Sequence, residues 1–368
     1  MGSKLTIQDI ARLAGVSKAT VSRVLNQKSN VDPVTRERVL RIINEKGFVP
    51  SITASGLAGG RSRLIGALTP PLTWAGVPEI MHGVAEVIER TSYEIVLYSI
   101  SQARDHSDIL DRILAMKLTS GLLAIHPGKL TEHLVNLYDQ GLPIVIIDDQ
   151  GPLTPIPWVG IDNYESAYQA TCHLIRLGHR RIAHIQGPAE YRCSHERYQG
   201  FCQALLDHDL VPHPELVLQG SFEIAGGRTC ANVIFSMSAH EQPSAFFVGN
   251  DQMAYSVLAA AEEHGIRVPE DVAVIGFDDI PLSAHMKPAL TTVRQPFYEM
   301  GGAAVELLLS FVDPQNSFTG TQQVGSAEHE RFLPLAEIAQ QDPIRYQLPT
   351  HLMLRESCGS SQPIAVSG

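Results

Sequence analysis

Apolar positions recur with two different periods along the chain. Near the N-terminus the period is helical: Leu5, Ile7, Ile10, Ala11 and Leu13 form one stripe, Val21, Val24 and Leu25 a second, and Val34, Val39, Leu40, Ile42 and Ile43 a third. Residues suited to helix ends punctuate these stripes. Thr6, three positions before Asp9, predicts a capping box, Gly15 suits a left-handed helix end, Ser17 can cap the second segment, and Asp32–Pro33 supplies a cap and first residue for the third. The first two helices then meet across a four-residue turn, which is helix-turn-helix geometry. From Leu64 onward the pattern changes to short apolar runs, "LIGALT", "EIVLYSI", "GLLAIH", "PIVIID", "RIAHIQG", "SAFFVGN" and "DVAVIGFDD", alternating with helical segments. Continuous apolar strands separated by helices predict parallel sheets covered on both faces. The series falls into two comparable halves divided near "VGIDNYESA", with Asn163 opening a helix, so the α/β body is expected to be two doubly wound subdomains facing a cleft.

Charge separates the same two regions. The chain carries a net charge of −11, yet residues 1–63 hold 11 Lys/Arg against 4 Asp/Glu while the remainder holds 17 against 35. A basic head on an acidic body suits either a solvated face or a polyanion-binding module, and the helix-turn-helix pattern favours the second. On the second helix Lys18, Ala19, Thr20, Ser22 and Arg23 remain outward. A helix entering a major groove must be slim and must carry donors for phosphates and base edges, and this set meets both needs.

At 368 residues the chain exceeds one ordinary domain. It has no run of about 18 apolar residues and no secretion-type N-terminus, so the expected setting is cytoplasmic, with no membrane partner. Cys172, Cys193, Cys202, Cys230 and Cys358 are odd in number and contain no C-x-x-C pair, which predicts free thiols and no disulfide framework. The histidines lack zinc-ligand spacing, and no nucleophile elbow, P-loop or paired-acid motif is present; neither a cofactor nor catalysis is expected.

The segment "LTIQDIARLAGVSKATVSRVLN" resembles the head of the lactose repressor family of bacterial transcription regulators, whose recognition helix reads V-S-x-x-T-V-S-R-V-L-N. Carried over by position, the resemblance implies that Lys18, Ala19 and Arg23 face base edges and that Thr6, Ser17, Thr20, Ser22, Asn26 and Thr35 hold phosphates. It further implies that "GFVPSITASGLAGGRSRLIGAL" is a linker with a hinge helix, its apolar positions Ala54 and Leu57, the latter wedging into the minor groove of a pseudo-palindromic operator. Ser51, Ser55 and Gly56 depart from the residues usual there.

The body resembles a periplasmic sugar-binding protein. The resulting division is residues 1–47 for the DNA-binding domain, 48–63 for the linker and 64–356 for effector binding and dimerisation. Within the last, the N-subdomain takes about 64–162 and 295–325, and the C-subdomain about 163–294 and 344–356. Residues 313–343 form an atypical insert. Residues 357–368 form a flexible tail without a heptad, so the expected assembly is a homodimer.

Strand ends in doubly wound sheets deliver polar groups to the crevice, which singles out Asp148, Asn250 and Asp278. The plainer alternative for each is a cap on the helix after its strand. Arg197 in "RYQGF" matches the family's cleft arginine and Phe222 its stacking aromatic, and Trp74 in "WAGV" stands where the family carries a Phe-rich wall. Carboxylates, a guanidinium and rings suit a polyol. The expected function is a repressor whose operator affinity is controlled by a small molecule, most simply a sugar; a sugar-uptake binding protein is the alternative that the body alone supports.

Overall fold

A computed structural model describes residues 5–25, 30–48, 62–100, 119–148, 154–313 and 343–359. The helical head and the α/β body are separate compact units and are taken one at a time.

The head consists of α1 (Ile7–Ala14), α2 (Lys18–Leu25) and α3 (Pro33–Lys46). Its punctuation follows the sequence. Thr6 and Asp9 exchange the two bonds of a capping box, Gly15 ends α1 at φ 63°, and the Asp32 side chain accepts from the Val34 and Thr35 amides above Pro33. Ile10, Val21 and Val39 are fully buried and form the core with Ala11, Ala14, Val24, Val31 and Ile43. Among the predicted apolar positions, Leu13, Val34 and Leu40 face solvent, 49%, 71% and 42% exposed. Only one stripe of each helix meets its neighbours, and these residues fall beside it.

In the body, one six-stranded sheet has the order β11-β5-β4-β3-β1-β2 and the other β12-β10-β9-β8-β6-β7. The first comprises β1 (Leu64–Thr69), β2 (Glu94–Ser99), β3 (Gly121–Ile125), β4 (Ile144–Ile147), β5 (Trp158–Ile161) and β11 (Arg345–Leu348). The second comprises β6 (Ile182–Gln186), β7 (Val217–Gln219), β8 (Ala245–Val248), β9 (Ala273–Asp278), β10 (Thr291–Arg294) and β12 (His351–Met353). The connecting helices are α4 (Gly76–Ile88), α5 (Thr131–Asp139), α6 (Asn163–Arg176), α7 (Arg192–Leu206), α8 (Ile224–Phe235), α9 (Asp251–Glu263) and α10 (Phe297–Val312). Every residue of β3, β4, β8 and β9 is buried, as continuous apolar runs require. Among the described residues no helix is long and apolar enough to cross a membrane.

The chain passes between the sheets three times: from β5 into α6, from β10 into α10, and from β11 to β12. The last crossing corrects the expected boundary. β11 pairs in parallel with β5, so residues 345–348 belong to the N-subdomain and the chain crosses at Pro349–Thr350. That link is too short for a parallel crossover, and β12 therefore lies antiparallel on β10. The tail expectation also changes. Ser357 and Cys358 are buried: Ser357 Oγ donates to the Val274 carbonyl (2.7 Å) and accepts from the Thr291 amide (2.8 Å). A serine and a cysteine there close the exposed end of the second sheet. The insert lies outside the described residues save Asp313 and Pro343, as do residues 360–368 of the tail. None of the five cysteines forms a disulfide.

Candidate functional site

On α2 the buried residues Val21 and Val24 face the head's core, leaving Lys18, Ala19 and Arg23 exposed and Thr20 and Ser22 half-buried beside them. Ala19 lies nearly opposite the buried stripe, with Ser22 and Arg23 on either side. The predicted reading surface is thus assembled on one face. The hydroxyls around it are partly engaged. Ser17 Oγ accepts from the Thr20 amide (3.1 Å) and lies 2.9 Å from Thr20 Oγ1, while the Thr6 hydroxyl donates to Asp9 (2.7 Å). Thr35 sits in the first turn of α3, its amide held by Asp32 (2.8 Å). Asn26, Ala54 and Leu57 lie outside the described residues.

In the body, the ends of strands from both sheets converge. Asp148 follows β4 at φ 52° and Asp278 ends β9 at φ 117°, backbone conformations that direct each carboxylate out of its strand. Both are buried, at 2% and 8% exposure. Burial pushes the Asp278 carboxyl up to about 7; the neighbouring Arg197 guanidinium and a 2.7 Å bond from Gln295 oppose that rise, while the Asp148 charge adds to it. An aspartate of one sheet thus acts on an aspartate of the other across the cleft. Arg197, 4% exposed, donates through Nε to Asn163 (2.9 Å) and through Nη1 to the Gly249 carbonyl (2.6 Å), its Cζ 3.6 Å above the Phe277 ring.

Two of the predicted residues shape the wall. Phe222, at φ 62°, stacks near Tyr191 (centroids 5.9 Å). Its ring lies so close to Gly187 that a Cβ there would fall 2.1 Å from it. Trp74 meets His126 edge-on at 4.1 Å and Phe297 at 5.6 Å, while the adjoining Ala75 packs against the core of the second sheet. Asn250 differs from the rest. Its Oδ1 caps α9 through the Met253 amide (3.0 Å) and its Nδ2 donates to the Phe222 carbonyl (2.9 Å), so the carboxamide is engaged and its contribution is to hold Phe222.

The sequence reading missed His126 and Gln295. His126 Nε2 lies 3.0 Å from Asp148 Oδ2 in a nearly solvent-free pair. It follows β3 as Asp148 follows β4, so the strand-end rule applied to "GLLAIH" would have found it. Gln295 follows β10, whose text "TTVR" is β-branched but too short and polar to stand out as an apolar run. Asp148 Oδ1 and Gln295 Oε1 are buried acceptors that receive no hydrogen bond from the described residues.

A helix-turn-helix head with a body of two doubly wound sheets defines a DNA-binding regulator. Residues 6–51 match the family model for bacterial regulatory proteins of the lacI family, and residues 171–334 match the periplasmic binding protein-like domain. The chain is 38% identical over 307 residues to the HTH-type transcriptional repressor PurR of Aliivibrio fischeri, covering 83% of this chain and 90% of that one. It is 32% identical over 312 residues to catabolite control protein A of Priestia megaterium, covering 84% and 93%. Among solved structures, the Lac repressor dimer bound to operator and the anti-inducer ONPF aligns with a TM-score of 0.80 at 27% identity, covering 97% of this chain and 99% of that one. The complex of the transcriptional regulator CelR with cellobiose aligns with a TM-score of 0.66 at 30% identity, covering 96% and 99%. The chain belongs to the lacI family and is a DNA-binding transcriptional repressor, not an enzyme.

Proposed function

We propose that this repressor binds a pseudo-palindromic operator as a homodimer and that a sugar in the body's cleft controls its affinity for DNA. The observation that carries the effector reading is the convergence of Asp148, Asp278 and Arg197 from opposite sheets, beside the Trp74 and Phe222 rings. Adjacent hydroxyls donate and accept together, so a polyol can satisfy the buried acceptors while its C–H face lies on a ring. The CelR structure with cellobiose supports a glycoside, and the Lac repressor dimer on its operator supports the two-fold assembly. Within the head, Lys18, Ala19 and Arg23 read base edges, while Thr6, Ser17, Thr20, Ser22 and Thr35, with Asn26, fix the phosphates. Ala54 and Leu57 belong to the minor-groove hinge. The basic head has no use in a sugar-uptake protein, which sets that alternative aside.

Gel retardation of a pseudo-palindromic duplex, with and without cellobiose, tests the proposal. Specific retardation that cellobiose alters is the expected result. Retardation indifferent to every sugar tried defeats the effector reading and leaves the repressor.

A further inference from the structure

We infer that His126 makes the cleft selective for an uncharged ligand, by holding Asp148 so that an anionic ligand meets two carboxylates and a cationic one meets a carboxylate already engaged. The inference rests on the effector reading above and adds the charge class of the effector and the residue that sets it.

The ionisable groups facing the site lie in pairs. Arg197 is opposed by Asp278, and two of its three nitrogens already donate to Asn163 and Gly249. His126 is 3.0 Å from Asp148, with side-chain exposures of 5% and 3%. Arg192 nearby lies 3.2 Å from Glu196. A phosphorylated ligand would therefore bring two or so negative charges to a place holding Asp148 and Asp278, where Arg197 already faces Asp278 and Arg192 faces Glu196, at a large desolvation cost. An ammonium would have to compete with His126 for Asp148. Unused hydrogen-bonding capacity includes Asp148 Oδ1 and Gln295 Oε1, acceptors without a donor among the described residues, and the Ser194 hydroxyl, which call for hydroxyl or N–H groups on a neutral ligand.

The arrangement is specific to the pair. His126 and Asp148 have φ of 44° and 52°, so each side chain leaves its strand end in the left-handed region, and the two meet. Asparagine tolerates that backbone, which makes His126→Asn and Asp148→Asn substitutions that change charge pairing with little strain.

The test is isothermal titration of the full chain with cellobiose, with glucose against glucosamine and glucose 6-phosphate, with ribose against ribose 5-phosphate, and with adenine against AMP. The neutral member of a set should bind at least about tenfold tighter than its charged counterparts. In His126→Asn the preference for glucose over glucosamine should fall by about tenfold or reverse, because Asp148 is released to the ammonium, while the phosphorylated members stay excluded. Asp148→Asn should retain neutral ligands better than glucosamine. A phosphorylated member binding as tightly as its parent overturns the inference, as does a His126→Asn chain with unchanged selectivity. Adenine binding over AMP, with no sugar bound, removes the sugar reading and leaves the charge rule standing. A panel in which nothing binds removes both.

Discussion

A carboxylate shut away from water prefers its proton, and Asp278 shows what that costs the fold. Its pKa of about 7 in the folded chain stands above the ordinary 3.8, and the buried Asp251 is displaced in the same direction by desolvation and by Asp278. Between those two pH values the folded state binds more protons than the unfolded one, so stability from this group is present at low pH and is lost as pH rises through about 7. Each unit of displacement corresponds to roughly 1.4 kcal/mol, so the loss is on the order of a few kcal/mol. Asp278→Asn should flatten that slope: denaturant melts at pH 5 and pH 8 should differ less for the variant than for the parent. At the DNA face the prediction concerns specificity. Arg23→Ala should weaken binding to the preferred operator by roughly 1 to 3 kcal/mol and relax its base preference, and equal loss on random DNA would contradict base reading. Residue chemistry was legible wherever a strand or cap announced itself, as at Thr6, Asp148 and Asp278. His126 follows β3 and was legible by the same rule, though its pairing with Asp148 was not; Gln295 was not legible, because its importance lies in the group the fold brings opposite it.

At the scale of elements, the helix pairs are held by glycines whose role no periodicity displays. A Cβ on Gly83 of α4 would lie 1.9 Å from the Tyr298 carbonyl oxygen of α10, and one on Gly301 of α10 would lie 2.0 Å from the Ile80 carbonyl oxygen of α4. The two backbones touch reciprocally. Neither helix can shift without the other, so Gly83→Ala should cost roughly 1 to 3 kcal/mol or more through overpacking, read as a fall in the urea midpoint with an unchanged slope. The strands show the same division. Apolar β3, β4, β8 and β9 were evident from composition, whereas β7, β10, β11 and β12 are strands of three or four residues with mixed or polar text, defined by their neighbours. The antiparallel placement of β12 followed from a crossing two residues long, which alternation of strands and helices does not specify.

For the whole molecule, the three crossings matter because Asp148 belongs to one sheet and Asp278 to the other. A ligand that engages both aspartates binds more tightly when the sheets are drawn together, and it can shift the protein's states only by that difference in affinity. Removing one of the two contacts removes the difference, whatever affinity remains. Asp278→Ala should therefore retain operator binding and its steep salt dependence, which the basic head supplies, while cellobiose no longer changes either. Linkage sets a second condition. If cellobiose alters operator affinity by some factor in the parent chain, the operator must alter cellobiose affinity by the same factor, and in Asp278→Ala both factors should approach one. Titrating cellobiose with and without bound operator, in parent and variant, checks the four affinities together. A variant that still transmits a parental factor would show that the coupling does not run through the Asp148–Asp278 bridge.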